Sequence, residues 1–333
     1  MQNWAQYPVR MVLALILLVG GIYAGYRAFF PDLPLVGIIQ WTKEIKPFED
    51  SLQGVIEGLR EEGHEDGLNI RLELRNAAGE RDKVAAAARD FQERGARLLV
   101  TVGTVPTLIA LEATKIPIVY TTVGAPNATG LSRPAAGKSM RFTGTSMEVP
   151  IQEQLRFLLL ARPGLKRLGI LFCNATPQAV ATGEKAEQLC SSLSLKPILR
   201  TVTDERPELL EQTLAGLLAE KIDALFIPTD PVLGKPKNLQ IICDVALRAC
   251  IPVMVPEGTS MAYGALLSYH CDFTDVGRQS GRQAARLLHG TPMEQVPPES
   301  PDIRRLTINL KVAQRLNLHL SRQLLCQAYH LYQ

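Results

Sequence analysis

The chain states one pattern twice, and that repetition limits the folds open to it. Residues 96–126 read ARLLVTVGTVPTLIALEATKIPIVYTTVGAP, and residues 222–260 read IDALFIPTDPVLGKPKNLQIICDVALRACIPVMVPEGTS. In each, an apolar run ends in a Thr-containing loop with a proline, a helix-like stretch follows, and a second apolar run opens on Ile-Pro. An earlier pair matches as well, LPLVGIIQ at 33–40 and KRLGILFCN at 166–174. The offsets agree: Val36 to Leu168 is 132 residues and Ile118 to Val253 is 135. Two copies of one α/β lobe set two groups of loops face to face across a cleft, an architecture suited to gripping a small molecule.

A chain of 333 residues is long enough for two domains, each with its own core. Its net charge of +3 is small and dispersed, and no basic run is interleaved with aromatics, so no nucleic acid is expected as a partner. The N-terminus differs from the rest. MVLALILLVGGIYAGY, Met11 to Tyr26, is an uncharged run of 16 residues that Ala28–Phe30 extend past Arg27. A bilayer span takes about 20 apolar residues. The best cleavage site, Ile22-Tyr23-Ala24, is poor for lack of a small residue, and the first cysteine is Cys173, so no lipid-bearing cysteine is near. An uncleaved transmembrane signal anchor is therefore expected within residues 1–33, which comprise a cytoplasmic tip, the membrane helix and a linker.

The six cysteines, Cys173, Cys190, Cys243, Cys250, Cys271 and Cys326, form no C-x-x-C or Cys/His cluster, so no zinc site is expected. Export would permit disulfides without assigning pairs, and Cys243 and Cys250 read as a core stripe on one helix. No Walker loop, G-x-S-x-G elbow or G-x-G-x-x-G occurs, and the five histidines lack a nucleophile partner. Neither a cofactor nor an enzymatic activity is expected.

Strand and helix alternate from residue 36 onward. VGIIQ reads as a buried parallel strand, 47–62 as an amphipathic helix, and 69–74, 98–102 and 116–120 as further strands with helices at 81–94 and 106–113 between them. A loop fills 124–146, a helix begins at 150, and the second lobe starts at Leu168. A strand at 264–268 and a helix at 275–289 follow, then a strand at 306–310 and a helix at 313–318. This is a doubly wound parallel α/β pattern.

Ligands in such sheets sit beyond the carboxyl ends of the strands. Gly103-Thr104-Val105-Pro106, with Pro106 as first helical residue, offers free helix N–H groups to an anion, or Thr104 simply caps the helix. Asp230 in Pro228-Thr229-Asp230-Pro231 neutralises a ligand ammonium or shapes an Asp-Pro turn. Trp41, in Gln40-Trp41-Thr42, stacks on a ligand or covers a core edge. Asp272 lines the cleft or caps the next helix. Tyr120 is a second candidate apolar wall.

The ordered series VGIIQ, GLREEG (58–63), NAAGERDK (76–83), ATKIPIVYTTVGAPNATGL (113–131), IPTDP (227–231), IPVMVPEG and GALLSYHCDFTDVGRQSG (264–281) resembles the solute-binding proteins of ABC importers, of the tryptophan/tyrosine-binding type. That resemblance covers about residues 35–318 and implies a type I periplasmic-binding-protein-like fold, two lobes joined by three hinge crossovers. It implies lobe 1 at 34–146 plus 270–297 and lobe 2 at 147–269 plus 298–325. Its partners would be a small solute such as an amino acid and the ABC permease and ATPase subunits. Its place would be the outer face of a bacterial inner membrane, held by the anchor.

By position the family's cleft maps to Gln40, Thr104, Thr122, Asp230 and Asp272, and Trp41 and Asn174 complete the candidate ligand-binding set. The chain departs from the pattern at Gly124-Ala125, at Cys173-Asn174, at Pro231 and at His270, so the fold carries over but an aromatic ligand does not follow. The alternatives are a membrane-anchored sensing module that reports solute to a signalling protein and, further off, an enzyme using the same cleft.

Overall fold

Six consecutive buried residues make the first apolar run a central strand, β1 (Leu35–Gln40), because both its faces must be covered. In the computed structural model, which describes residues 33–132 and 140–333, β1 is flanked by β2 (Arg71–Asn76) and β3 (Leu98–Val102), both parallel to it. With β4 (Ile118–Val123) and β5 (Phe142–Ser146) the sheet runs β2-β1-β3-β4-β5. The second sheet holds β6 (Arg167–Cys173), β7 (Lys196–Val202), β8 (Ala224–Phe226), β9 (Val253–Met254) and β10 (Leu267–Cys271). Its order is β7-β6-β8-β9-β10, the first sheet's order with every number raised by five. The repeat in the sequence is thus a repeat of topology. β11 (Arg304–Asn309) joins β10 antiparallel, and β12 (His330–Tyr332) joins β11.

Helices cover both faces of each sheet. In lobe 1, α1 (Lys46–Glu61) lies on one face, and α2 (Arg81–Glu93) and α3 (Thr104–Ala113) pack over the other. In lobe 2, α4 (Ile151–Ala161) and α5 (Pro177–Ser192) cover one face, α6 (Pro207–Ala219) and α7 (Pro236–Arg248) the other. The helix after β10, α8 (Phe273–Leu288), returns to lobe 1 and packs beside α1. Two short helices, α9 (Leu310–Arg315) and α10 (Arg322–Leu325), close the chain on lobe 2.

Three segments pass between the lobes. Residues 147–150 lead from β5 to α4, Asp272 leads from β10 to α8, and residues 300–303 lead back to β11. The last two are tied together, the Asp272 N–H donating to the Ile303 carbonyl at 3.2 Å. Glu299, just before the third, extends the first sheet: it bridges Thr145, with Ser146 N–H donating to Glu299 O at 2.9 Å.

α1 and α8 pack backbone to backbone. Gly54 and Gly58 on one helix face Gly277 and Gly281 on the other, each four residues apart. A methyl group on Gly54 would fall 1.9 Å from the Thr274 carbonyl oxygen, and one on Gly277 would fall 2.0 Å from that of Ser51. Arg278 clasps the pair from outside, 2.7 Å from Glu57 and 3.0 Å from Glu61.

Several expected elements differ. The loop expected over 124–146 contains β5, whose FTGTS is buried at every residue though its side chains are mostly small and polar. The strand expected at 264–268 lies at Leu267–Cys271, because Gly264, at φ +100°, ends a 3₁₀ turn over Gly258–Tyr263. The helix expected from Pro106 starts at Thr104, two residues earlier. Cys243 is buried on α7, but Cys250 lies beyond that helix and is exposed, so the two share no stripe; all six cysteines are free thiols. The expected anchor lies outside the described residues, among which no helix is long and apolar enough to cross a membrane.

Candidate functional site

Most of the candidate residues lie at or just after the carboxyl ends of the strands of the two sheets. On lobe 1, Gln40 closes β1, is fully buried, and donates from Nε2 to Glu49 Oε1 at 2.5 Å; its Oε1 has no partner among the described residues. Trp41 is half-buried against the core on the α2–α3 face, the packing alternative. Gly103 precedes α3 at φ +106°, so Thr104 is the first helical residue and does not cap it. The Thr104 hydroxyl instead accepts from the Gly124 N–H at 3.1 Å. Since Pro106 carries no N–H, the free donors at this helix start are those of Thr104 and Val105.

Thr122 sits in a bulge of β4 at φ +58°, a costly conformation for a β-branched residue. Its hydroxyl bonds Ser51 Oγ, which donates to the Phe273 carbonyl at 3.1 Å. Thr122 therefore anchors the floor of lobe 1 to the second crossover. Tyr120 is not a cleft wall. It is fully buried in the lobe 1 core, its hydroxyl donates to the Leu131 carbonyl at 2.9 Å, and burial raises its pKa.

On lobe 2, Asn174 is exposed after β6, held through its N–H to the Val202 carbonyl. Asp230 is 2% exposed, and its oxygens accept N–H bonds from Cys173 at 2.6 Å, Val232 at 2.8 Å and Leu233 at 3.0 Å. Burial raises its pKa and the three N–H groups oppose that rise. This is a carboxylate spent on a turn and on the end of β6. Asp272 caps α8, accepting from Asp275 N–H at 3.0 Å, and pairs with Arg305, which lies over the Tyr329 ring. It too is spent.

The sequence reading passed over Glu257. It follows β9, half-buried beside the Asp230 turn, with Oε1 against Gly234. Burial, with the Asp230 charge second, pushes its carboxyl up to about 7, and among the described residues no cation pairs with it. A signal was available: the offset of 135 residues that relates Ile118 to Val253 also relates Thr122 to Glu257. Next to it, the His270 ring lies against Gly258 with Nδ1 3.2 Å from Ser268 Oγ, and burial pushes that imidazole down to about 4. The two walls thus differ. Lobe 1 offers helix N–H groups, and lobe 2 offers an unpaired carboxyl beside a neutral imidazole. Among the described residues no cluster of three metal-ligating side chains occurs.

Comparison with known proteins agrees with this architecture. The family model described as ABC transporter substrate binding protein matches residues 38–331. A tyrosine-binding protein of Clostridioides difficile is 24% identical over 284 residues, 85% of this chain and 81% of the relative. The ligand-free, open structure of a substrate-binding protein with adhesive properties from Clostridium difficile superposes with a TM-score of 0.78 at 22% identity, covering 90% of this chain and 99% of that one. An ABC domain from Streptococcus pneumonia in complex with L-Trp gives 0.75 at 20% identity, over 90% and 100%.

Proposed function

The chain belongs to the ABC transporter substrate-binding protein family, and from that premise we propose that its interlobe cleft takes an amino acid. As a member of that family it is a solute-binding component of an ABC transporter, and the family is one of binding proteins, not of enzymes. An amino acid fits the two unlike walls. The N–H groups of Thr104 and Val105 at the start of α3 receive its carboxylate. Glu257 receives its ammonium group, the Asp230 carboxylate being engaged by backbone. Gln40, buried with its Oε1 unpartnered, stands at the end of β1, and the exposed Asn174 borders lobe 2. The names of two similar proteins, one tyrosine-binding and one holding L-Trp, support the same class of solute.

The apolar run at 11–26 acts as an uncleaved anchor and holds the binding domain on the outer face of the cytoplasmic membrane, near a permease and its ATPase. What supports this is the length and lack of charge of the run and the absence of a good cleavage site.

The observation that carries the ligand reading is the half-buried carboxyl of Glu257 on lobe 2, which no cation pairs with among the described residues. The test is a thermal-shift screen of the full chain with the twenty amino acids and with the amine and acid analogues of any that bind. A ligand at a hundred times its Kd stabilises by about 2.7 kcal/mol, a readable shift. Glu257→Gln should cost the binding amino acid at least about tenfold in affinity while leaving its deaminated analogue unaffected. No response to any amino acid, or equal binding by Glu257→Gln, would reject the reading.

A further inference from the structure

The end of β4 and the start of α5 belong to different lobes, yet they touch. Gly124, the residue after β4, is pinned by its N–H bond to Thr104 Oγ1. The space a side chain would fill there is taken by the carboxamide of Gln178, the second residue of α5. A methyl group on Gly124 would fall 2.1 Å from Nε2, 2.6 Å from Cδ and 3.0 Å from Oε1. Real side chains do not approach heavy atoms so closely, so the contact exists only because residue 124 has no Cβ. The backbone itself does not call for glycine, since Gly124 lies outside the left-handed region.

The seat is stiff. Thr122 and Ala125, on either side, hold φ values of +58° and +45°, conformations that side-chain-bearing residues keep only when their surroundings impose them. Thr122 is fixed by Ser51, and Gly124 by Thr104. The Gln178 carboxamide makes no hydrogen bond among the described residues, so it reaches the other lobe for the contact itself and keeps its donors and acceptor free.

We propose that Gln178 is the closure residue of the cleft: its carboxamide seats on Gly124 when the lobes come together. The seat sets how near the lobes stand at this edge and bounds the ligand space there. The bound on ligand size rests on the binding function proposed above; the seat itself requires no ligand. Because the carboxamide is the free end of a flexible side chain, alanine at 124 displaces it without unfolding either lobe.

The experiment uses the ligand-free full chain with donor and acceptor dyes on bio-orthogonal residues replacing Glu93 on lobe 1 and Glu211 on lobe 2, both exposed. Single-molecule energy transfer gives the ratio of near to distant lobes for the parent, Gly124→Ala, Gln178→Ala and the double variant. Either single substitution should lower that ratio at least about threefold, and Gly124→Ala should change nothing further once Gln178 is alanine, the non-additivity expected of residues in contact. The thermal midpoint of Gly124→Ala should not fall, since alanine narrows the unfolded ensemble at a compatible backbone position. Equal ratios in all four chains, additive effects, or a lowered midpoint would each overturn the proposal. If no amino acid binds, the ligand reading fails and the energy-transfer cycle still decides this one.

Discussion

Gly54→Ala puts a methyl group 1.9 Å from the Thr274 carbonyl oxygen, where real Cβ atoms stay at least 3.0 Å away. The helices must therefore part by at least 1.1 Å. Neither partner is a flexible side-chain end: the obstacle is the backbone of α8, which begins one residue after Asp272. Overpacking of this kind costs about 1–3 kcal/mol, occasionally more. Alanine returns about 1 kcal/mol of helix propensity. The unyielding backbone sets the gross cost at the top of the range, for a net loss of about 2 kcal/mol or more. At about 2–4 °C per kcal/mol for a unit of 150–250 residues, the midpoint should fall by about 4–8 °C. The assay is thermal denaturation of the full chain beside Gly216→Ala as a control. Gly216 sits exposed in α6 with nothing within 4 Å of its missing Cβ, so alanine there should stabilise by about 0.5–1 kcal/mol. If Gly54→Ala matches or exceeds the parent, or the two variants shift alike, the close backbone contact between α1 and α8 is not what fixes this helix pair.

Asp230→Ala should destabilise lobe 2 by about 2–5 kcal/mol, because the N–H groups of Cys173, Val232 and Leu233 lose their acceptor; a variant with unchanged denaturation would return Asp230 to the role of ligand contact. With the Glu257 carboxyl at about 7, only the ionised fraction holds an ammonium group, so amino-acid affinity should weaken about tenfold from high pH to pH 6 and this dependence should vanish in Glu257→Gln, as calorimetric titration will read. His64, its ring 4.6 Å from that of His289, is pushed below the ordinary imidazole value by burial and by its neighbour's charge. Its contribution is complete above about pH 6.5 and is lost as pH falls from there through the lowered folded value. Denaturation at pH 7.5 and 5.5 should therefore show a smaller acid loss for His64→Gln than for the parent.

The fold was legible because its evidence is periodic. Short apolar runs at matching offsets, bounded by turn residues and alternating with helical stretches, read as strands buried on both faces, and the two sheets share one strand order. β5 was not legible, since FTGTS lacks the apolar run that marks a buried strand; its burial comes from the third crossover and α8 closing over it. The site was harder to read, because a side chain's chemistry does not say where its hydrogen bonds go. Asp230 and Asp272 look like ligand carboxylates in sequence and are satisfied by backbone N–H groups and Arg305. Tyr120 looks like a cleft aromatic and points into the core, as strand alternation allows. Glu257 lay at the repeat-equivalent of a residue already singled out, but only burial beside Asp230 separates it from an ordinary surface glutamate.

The return of α8 to lobe 1 bears on how the molecule is made. The Arg278–Glu57 bond joins residues 221 apart in the chain, so α1 leaves the ribosome long before its partner. Through that interval its bare glycine edge and the apolar surface beneath α8 stay uncovered. Contacts this distant in sequence form slowly, and surfaces that wait for them are prone to aggregation. A nascent chain halted after lobe 2's fifth strand would carry two nearly finished sheets and no completed lobe 1, so the completion of lobe 1 waits on a single late helix.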